Sequence, residues 1–500
     1  MTEDKQNTPA KVVIVGAGIV GQVLALALKK HAGITAEIYE KATHFHDDVG
    51  AALGFYPNGM RVLRDIDHTL LQNVKRQGYP YVYRRWSRHD GTEIATAEES
   101  ELSLGDDELY SIGIRRWRLQ RVLFKAVERA GIPLHFSKAT THVVEHDDGL
   151  LTVQFQDGTS RTCELLFATD GGKSVVRSQF ADPKVQLKYT GVTCLMGISD
   201  CPSQRRGIDF PSSTTSEFHA VYFPTSHNEQ CFQIHFPLDE DVSDKDTWGN
   251  LSKADGKERF EKLADKLRDD GWHERYIEPL YEVEHAVRVG FALLEPRLDR
   301  WVYGKKSNIV LVGDSAHPPV PYVGQGAQMG VEDAGTVALL IKHLCMTPNG
   351  DFEWKNFNSA MNIYQSLRIP RTSKVLDISK QLGSIQDERS HEQNAEMREL
   401  FIQGEIMMNG TLPEMCPGAT HNYKDDVMDA IMEEYCKQRD ATFVNDLIEE
   451  GEALFDELDI KGETKLDLEE SEIELIYHLQ NRSVDPKERQ RLLDEVLARY

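Results

Sequence analysis

The strongest constraint on the 500-residue chain lies near its start, where residues 12–28 are apolar except for Gln22 and carry Gly16, Gly18 and Gly21. At 17 residues the stretch sits at the short limit of a membrane span. Glycines at GxGxxG spacing describe instead a buried strand turning into a buried helix. The first glycine permits the tight turn, the second lets a pyrophosphate approach the backbone, and the third lets helix and strand pack closely. Phosphates then rest on the helix N-terminus, where free N–H groups and the helix dipole favour negative charge. A second strand over residues 36–40 ends in Glu40, followed by Lys41, and a carboxylate at that point can hydrogen-bond a ribose. Strand, glycine turn, helix and strand fill residues 11–40, the length of a βαβ unit, and together they predict dinucleotide binding.

Charge narrows the partners. With 57 basic and 81 acidic residues the formal charge is −24, which repels phosphate backbones and anionic lipid surfaces. Neither nucleic acid nor an integral membrane span is expected. Seven cysteines, odd in number and without a CxxC pair, argue against a disulfide framework and a zinc site and for a reducing, cytoplasmic setting. His44 and His46 flank Phe45 with no further clustered ligand, so no metal is expected. Residues 1–10 show no basic start and apolar stretch of a secretory signal.

The texture along the chain predicts an α/β fold in four parts. Residues 1–183 form the first part of a Rossmann-like dinucleotide-binding domain. Residues 184–290, rich in β-branched and aromatic runs such as 218–223 and 231–236, read as an inserted β-sheet domain. Residues 291–380 return to the first domain, with a buried strand at 309–312 and a helix at 330–345. Residues 381–500 form an acidic helical extension. From His421 onward there are 23 acidic and 10 basic residues, yet Met428, Ile431, Met432 and, later, Ile473, Leu475, Ile476 and Leu479 keep helical spacing. A solvated helical tail fits that pattern better than disorder.

Two further motifs follow short apolar strands. One is Asp170-Gly171-Gly172-Lys173-Ser174 running to Arg177; the other is Gly313-Asp314-Ser315-Ala316-His317-Pro318-Pro319, then Gly324-Gln325-Gly326-Ala327 and a helix bearing Glu332 and Asp333. In this order, over about residues 11–379, the three motifs resemble the single-component FAD-dependent aromatic monooxygenases of the para-hydroxybenzoate and salicylate hydroxylase type.

The resemblance implies that Gly16, Gly18 and Gly21 hold the FAD pyrophosphate and that Glu40 binds the adenosine ribose. Residues 50–58 (GAALGFYPN) are similar to the loop along the flavin, with Gly54 in contact. Residues 114–120 (IRRWRLQ) are similar to an arginine-then-leucine element that places Arg116, and with it Gln120, on the cofactor; Arg115 and Arg118 flank it as alternative registers. Asp314 matches the residue bonding the ribityl chain, Gly326 and Ala327 lie near the isoalloxazine, and Asp170 serves FAD and NAD(P)H together. No second GxGxxG unit occurs, so NAD(P)H is expected as a transient reductant. Dioxygen then gives a C4a-hydroperoxyflavin that transfers one oxygen atom to an aromatic or other electron-rich small molecule. The inserted sheet is expected to supply the pocket, with Tyr222 and Arg288 as candidates for catalysis or substrate binding beside their plainer readings as core residue and salt bridge. A halogenase is disfavoured because no WxWxIP segment occurs. A flavin reductase or dehydrogenase without oxygen transfer, and a flavin-bearing interaction protein, stay open, as do substrate identity and a homo-oligomeric state.

Overall fold

The computed structural model describes residues 10–45, 51–103, 105–200, 205–238, 249–384 and 419–438. Strand Ala10–Val15 pairs in parallel with Ser160–Ala168 on one side and Glu37–Tyr39 on the other. From Val12 to Val15 it is buried on both faces and reads as a continuous apolar run rather than an alternating one. Ile309–Leu311 extends the parallel sheet beyond Ser160–Ala168, and Leu134–His135 extends it beyond Glu37–Tyr39. Helix α1 (Ile19–Ala32) leaves the glycine turn and ends where Gly33 adopts a left-handed φ of 66°. α2 (Pro57–Ile66), α3 (His68–Lys75), α4 (Arg116–Arg129) and the short α5 (Val175–Phe180) complete this half of the molecule.

The second sheet has eight strands, in the order Gly249–Asn250, Val283–Glu295, Gln186–Ser199, Glu229–Pro237, His219–Ser226, Ile208–Ser212, Tyr83–Arg88, Glu93–Glu98. All pairings are antiparallel except that of Ile208–Ser212 with Tyr83–Arg88. Helices α6 (Lys253–Asp269) and α7 (Glu274–Tyr281) close one face, packing Phe260, Leu263, Tyr276 and Ile277 on Leu195, Tyr222, Phe232 and Ile234. The opposite face carries Val192, Cys194 and Phe291 and meets Val320 and Tyr322 of the first half. This sheet differs from the expected 184–290 insertion. It recruits two strands from residues 83–98, and strand Val283–Glu295 runs through the expected break at 290 because its ladder to Gln186–Ser199 continues to Glu295.

Helix α8 (Gly326–Cys345) is buried nearly all round against α1 and the parallel sheet, and α9 (Phe357–Ser384) lies along it. Helix α10 (Tyr423–Gln438) departs from the expected solvated tail: Tyr423, Val427, Met428 and Ile431 all sink into the principal core. The periodicity identified the helix, but its acidic flanks concealed how deeply one face docks. The apolar set from Ile473 to Leu479, His46 and Gly50 lie outside the described residues. Among the described residues no helix is long and apolar enough to cross a membrane.

Candidate active site

The glycine turn is dictated by contact. Gly16 has φ of 100°, and a Cβ there would stand 2.5 Å from the Thr169 carbonyl oxygen; a Cβ on Gly21 would stand 2.0 Å from the Gly16 carbonyl. Gly18 differs, because nothing lies within 4 Å of where its Cβ would be. Its backbone faces open space at the N-terminus of α1, as a phosphate cradle requires. The Glu40 carboxylate accepts from Ala17 N at 2.7 Å and from Ala42 N at 2.9 Å, which ties the end of the second strand to the turn. Lys41 beside it is exposed.

The arginine cluster resolves by direction. Arg115 is 1 % exposed and donates to Glu229 at 2.8 Å, and Arg118 reaches the same carboxylate at 3.0 Å. Arg116, the first residue of α4, is exposed, and its charge acts to lower the pKa of Asp314. Gln120 follows one turn later, half-buried. Asp314 touches solvent yet is hemmed in by protein, and that burial pushes its pKa up, with Asp333 adding to the rise and His317 and Arg116 opposing it. Two motifs 198 residues apart in sequence are thus electrostatically coupled.

Arg177 joins the remaining motif to this one. Buried to 4 % exposure, it donates to the Ser315 carbonyl at 2.9 Å and also to the Gly172 carbonyl. Asp170 accepts from Val175 N at 2.8 Å and Val176 N at 3.3 Å, capping α5, while burial raises its pKa against these bonds. His317 holds Asp333 at 2.5 Å and packs on Trp301, which makes it part of the scaffold beneath Asp314.

A polar network that single motifs did not disclose braces the flavin-type loops. Gln328 Nε2 donates to the carbonyls of Gly54 and Gly324, both at 2.9 Å, and Asn58 Nδ2 donates to Gln325 Oε1 at 2.9 Å and Glu332 Oε1 at 2.7 Å. Burial would raise the Glu332 carboxyl, but Arg371 and Arg368 outweigh it and hold the group well below the usual carboxylate range. Gly326 stands so close to Pro319 that a Cβ would be 2.9 Å from its ring, and Ala327 packs half-buried behind it. The glutamines and Asn58 carried no signal beyond their place beside the glycines.

Tyr222 and Arg288 are corrected by strand register. Tyr222 is fully buried, and its hydroxyl donates to the Tyr276 carbonyl at 2.7 Å. Arg288 pairs across the ladder with Leu195, a member of the same helix-covered layer. Both therefore sit on the face closed by α6 and α7, since directly paired residues share a face. The opposite face presents His235, Phe291 and, from the loop after Pro319, Tyr322, with ring centroids 5.2–5.7 Å apart in edge-to-face contact.

The FAD binding domain family matches residues 9–379. The chain belongs to this family. It is 27% identical over 379 residues to the 6-hydroxynicotinate 3-monooxygenase of Bordetella bronchiseptica, covering 74% of this chain and 90% of the relative. It is 26% identical over 415 residues to a salicylate hydroxylase of Pseudomonas putida, covering 78% and 88%. Among solved structures, Klebsiella pneumoniae HpxO complexed with FAD and uric acid superposes with a TM-score of 0.67 at 21% identity, covering 83% of this chain and 97% of that one. The family and the relatives make this chain an FAD-dependent enzyme of the aromatic hydroxylase type, using NAD(P)H as reductant and inserting one oxygen atom.

Proposed function

We propose that the substrate is a small, electron-rich aromatic or heteroaromatic ring bearing an oxygen substituent. It binds between the isoalloxazine and the Cys194–His235–Phe291 face of the inserted sheet. The observation that carries this reading is the cluster of His235, Phe291 and Tyr322, where the inserted sheet meets the loop that continues the Asp314 motif; the charge of Arg116 acts on Asp314 from the other motif. In this reading Gly16, Gly18 and Gly21 hold the pyrophosphate, Glu40 and Lys41 the adenosine ribose, and Asp314 the ribityl hydroxyls. Arg116 and Gln120 flank the cofactor from α4, Gly54, Gly326 and Ala327 follow the isoalloxazine, and Asp170 shapes the adjoining turn.

When bound, FAD accepts hydride from NAD(P)H and activates dioxygen, so the hard chemistry is the cofactor's. The chain's own task is to orient the ring, exclude water and position a polar group. Phe291 and Tyr322 supply apolar edges that fix a flat ring, and His235, 4 % exposed, is the polar member placed to meet its oxygen substituent. The names of the two relatives, one acting on a hydroxylated pyridine and one on salicylate, support this substrate class. The buried free thiols Cys163, Cys194, Cys231 and Cys345 support work in a reducing compartment such as the cytoplasm.

The test is anaerobic reduction of the FAD-loaded protein by NADH or NADPH, with and without a panel of hydroxylated and carboxylated rings. One or more rings are expected to accelerate flavin bleaching, and admission of labelled dioxygen then yields a product carrying one labelled oxygen atom. Product without labelled oxygen, or reduction indifferent to every ring, argues for a reductase instead.

A further inference from the structure

The family match ends at residue 379, yet residues 419–438 pack directly onto its cofactor-side loops. The Ala419 carbonyl accepts from Asn58 N at 3.0 Å, and Ala419 is fully buried beside Ala52 and Tyr56. Arg61, one turn along α2, donates to the carbonyls of Thr420 at 3.0 Å and His421 at 3.2 Å. Tyr423 lays its ring over Gly335 of α8, where a Cβ would stand 2.5 Å from the ring, and donates its hydroxyl to Asp65 at 3.0 Å. Lys424 pairs with the same carboxylate at 3.2 Å. Burial among these groups drives the His421 pKa down to about 4, so the imidazole is neutral at pH 7 beside the Glu332–Arg368–Arg371 cluster. The glycine at 335 and the run of backbone acceptors given to Arg61 and Asn58 describe a fitted seat.

We propose that residues 419–438 are a cofactor-site strap that holds the two flavin-side loops, around Gly54–Asn58 and Gly324–Gly326, in register through Asn58. The inference rests on the reading that these loops follow the isoalloxazine. Asn58 is the joint: its backbone N–H is fixed by the strap, and its side chain links Gln325 to Glu332. With the strap released, Asn58 N–H loses its acceptor and Arg61 loses two. Gln325 and the glycines beside it then gain freedom that FAD must remove on binding, which weakens affinity and alters hydrogen bonding at the flavin. Asn58, Arg61 and Tyr423 act as positioning residues.

The test uses the full-length protein, its Gly335→Ala and Arg61→Met variants, and the chain ended after residue 418, each stripped of and titrated with FAD. The added methyl at 335 raises intrinsic helix propensity and meets the Tyr423 ring at 2.5 Å, with Val62 of α2 next at 3.1 Å; Arg61→Met releases the strap without touching Val62's contact with α8. Hydrogen exchange at residues 419–438 reports release, and the FAD dissociation constant and flavin midpoint potential report the consequence. Release is expected to raise the dissociation constant about tenfold and to shift the potential, with a peptide of residues 419–438 restoring the shortened chain toward full-length values. Released variants with unchanged dissociation constant and potential overturn the strap. Should the shortened chain fail to fold, the two point variants decide the matter alone. Full-length protein that binds no FAD would instead count against the flavin reading itself.

Discussion

On one face of the inserted sheet Leu195, Tyr222, Phe232 and Ile234 pack against Phe260 and Tyr276; one residue along the same strands, Cys194 and His235 point the other way, toward Phe291, Val320 and Tyr322. The strands are shared and the roles are not. The helix-covered face is filled by its own side chains, with the Tyr222 hydroxyl spent on a backbone carbonyl. The opposite face brings three rings from separate strands and a loop to one place. In a two-faced sheet a shift of one residue moves a side chain from one packed layer to the other, and the proposal assigns recognition to the second.

The largest effect should come from the closed face. Phe232→Ala removes a ring that stands 5.1 Å edge-on to Phe260 and is fully buried, and denaturant unfolding should show a loss of about 3–5 kcal/mol. Folded protein recovered at low temperature should keep its substrate affinity. On the face proposed for the substrate, Tyr322→Ala removes an aromatic contact of about 1.4 kcal/mol, so substrate titration should show binding weakened about tenfold. Tyr222→Phe deletes one buried hydrogen bond and should cost about 1 kcal/mol in unfolding free energy while leaving the substrate titration unchanged. Smallest of all, Arg288→Gln should alter stability by less than about 1 kcal/mol and substrate affinity not at all; a clear loss of affinity would place Arg288 at the substrate and undo the assignment of faces.

These contrasts also explain what could be read from the chain. The glycine turn was legible because its requirements are local: Gly16 and Gly21 are pressed against backbone atoms, and Glu40 closes on Ala17 N only 23 residues away. The cofactor type and the reaction class came from three motifs in a fixed order. Choosing Arg116 over its neighbours was not a local matter, since Arg115 is drawn aside by Glu229, 114 residues later. Tyr222 and Arg288 each kept two readings in the sequence for a related reason. Alternation along a strand reveals two faces, but only the docking of α6 and α7, which sequence does not announce, decides which one is closed. Likewise the spacing of Met428 and Ile431 announced a helix and not its seat on Gly335.

The most direct test of the central claim is a titration of FAD-loaded protein with an aromatic substrate found by accelerated flavin reduction, followed by the perturbation of the flavin absorbance and repeated in Tyr322→Ala and Tyr222→Phe. The account predicts that Tyr322→Ala weakens the spectral response about tenfold and that Tyr222→Phe leaves it unchanged. A response lost in Tyr222→Phe and intact in Tyr322→Ala would contradict it, because the ring would then have to lie on the face that α6 and α7 close.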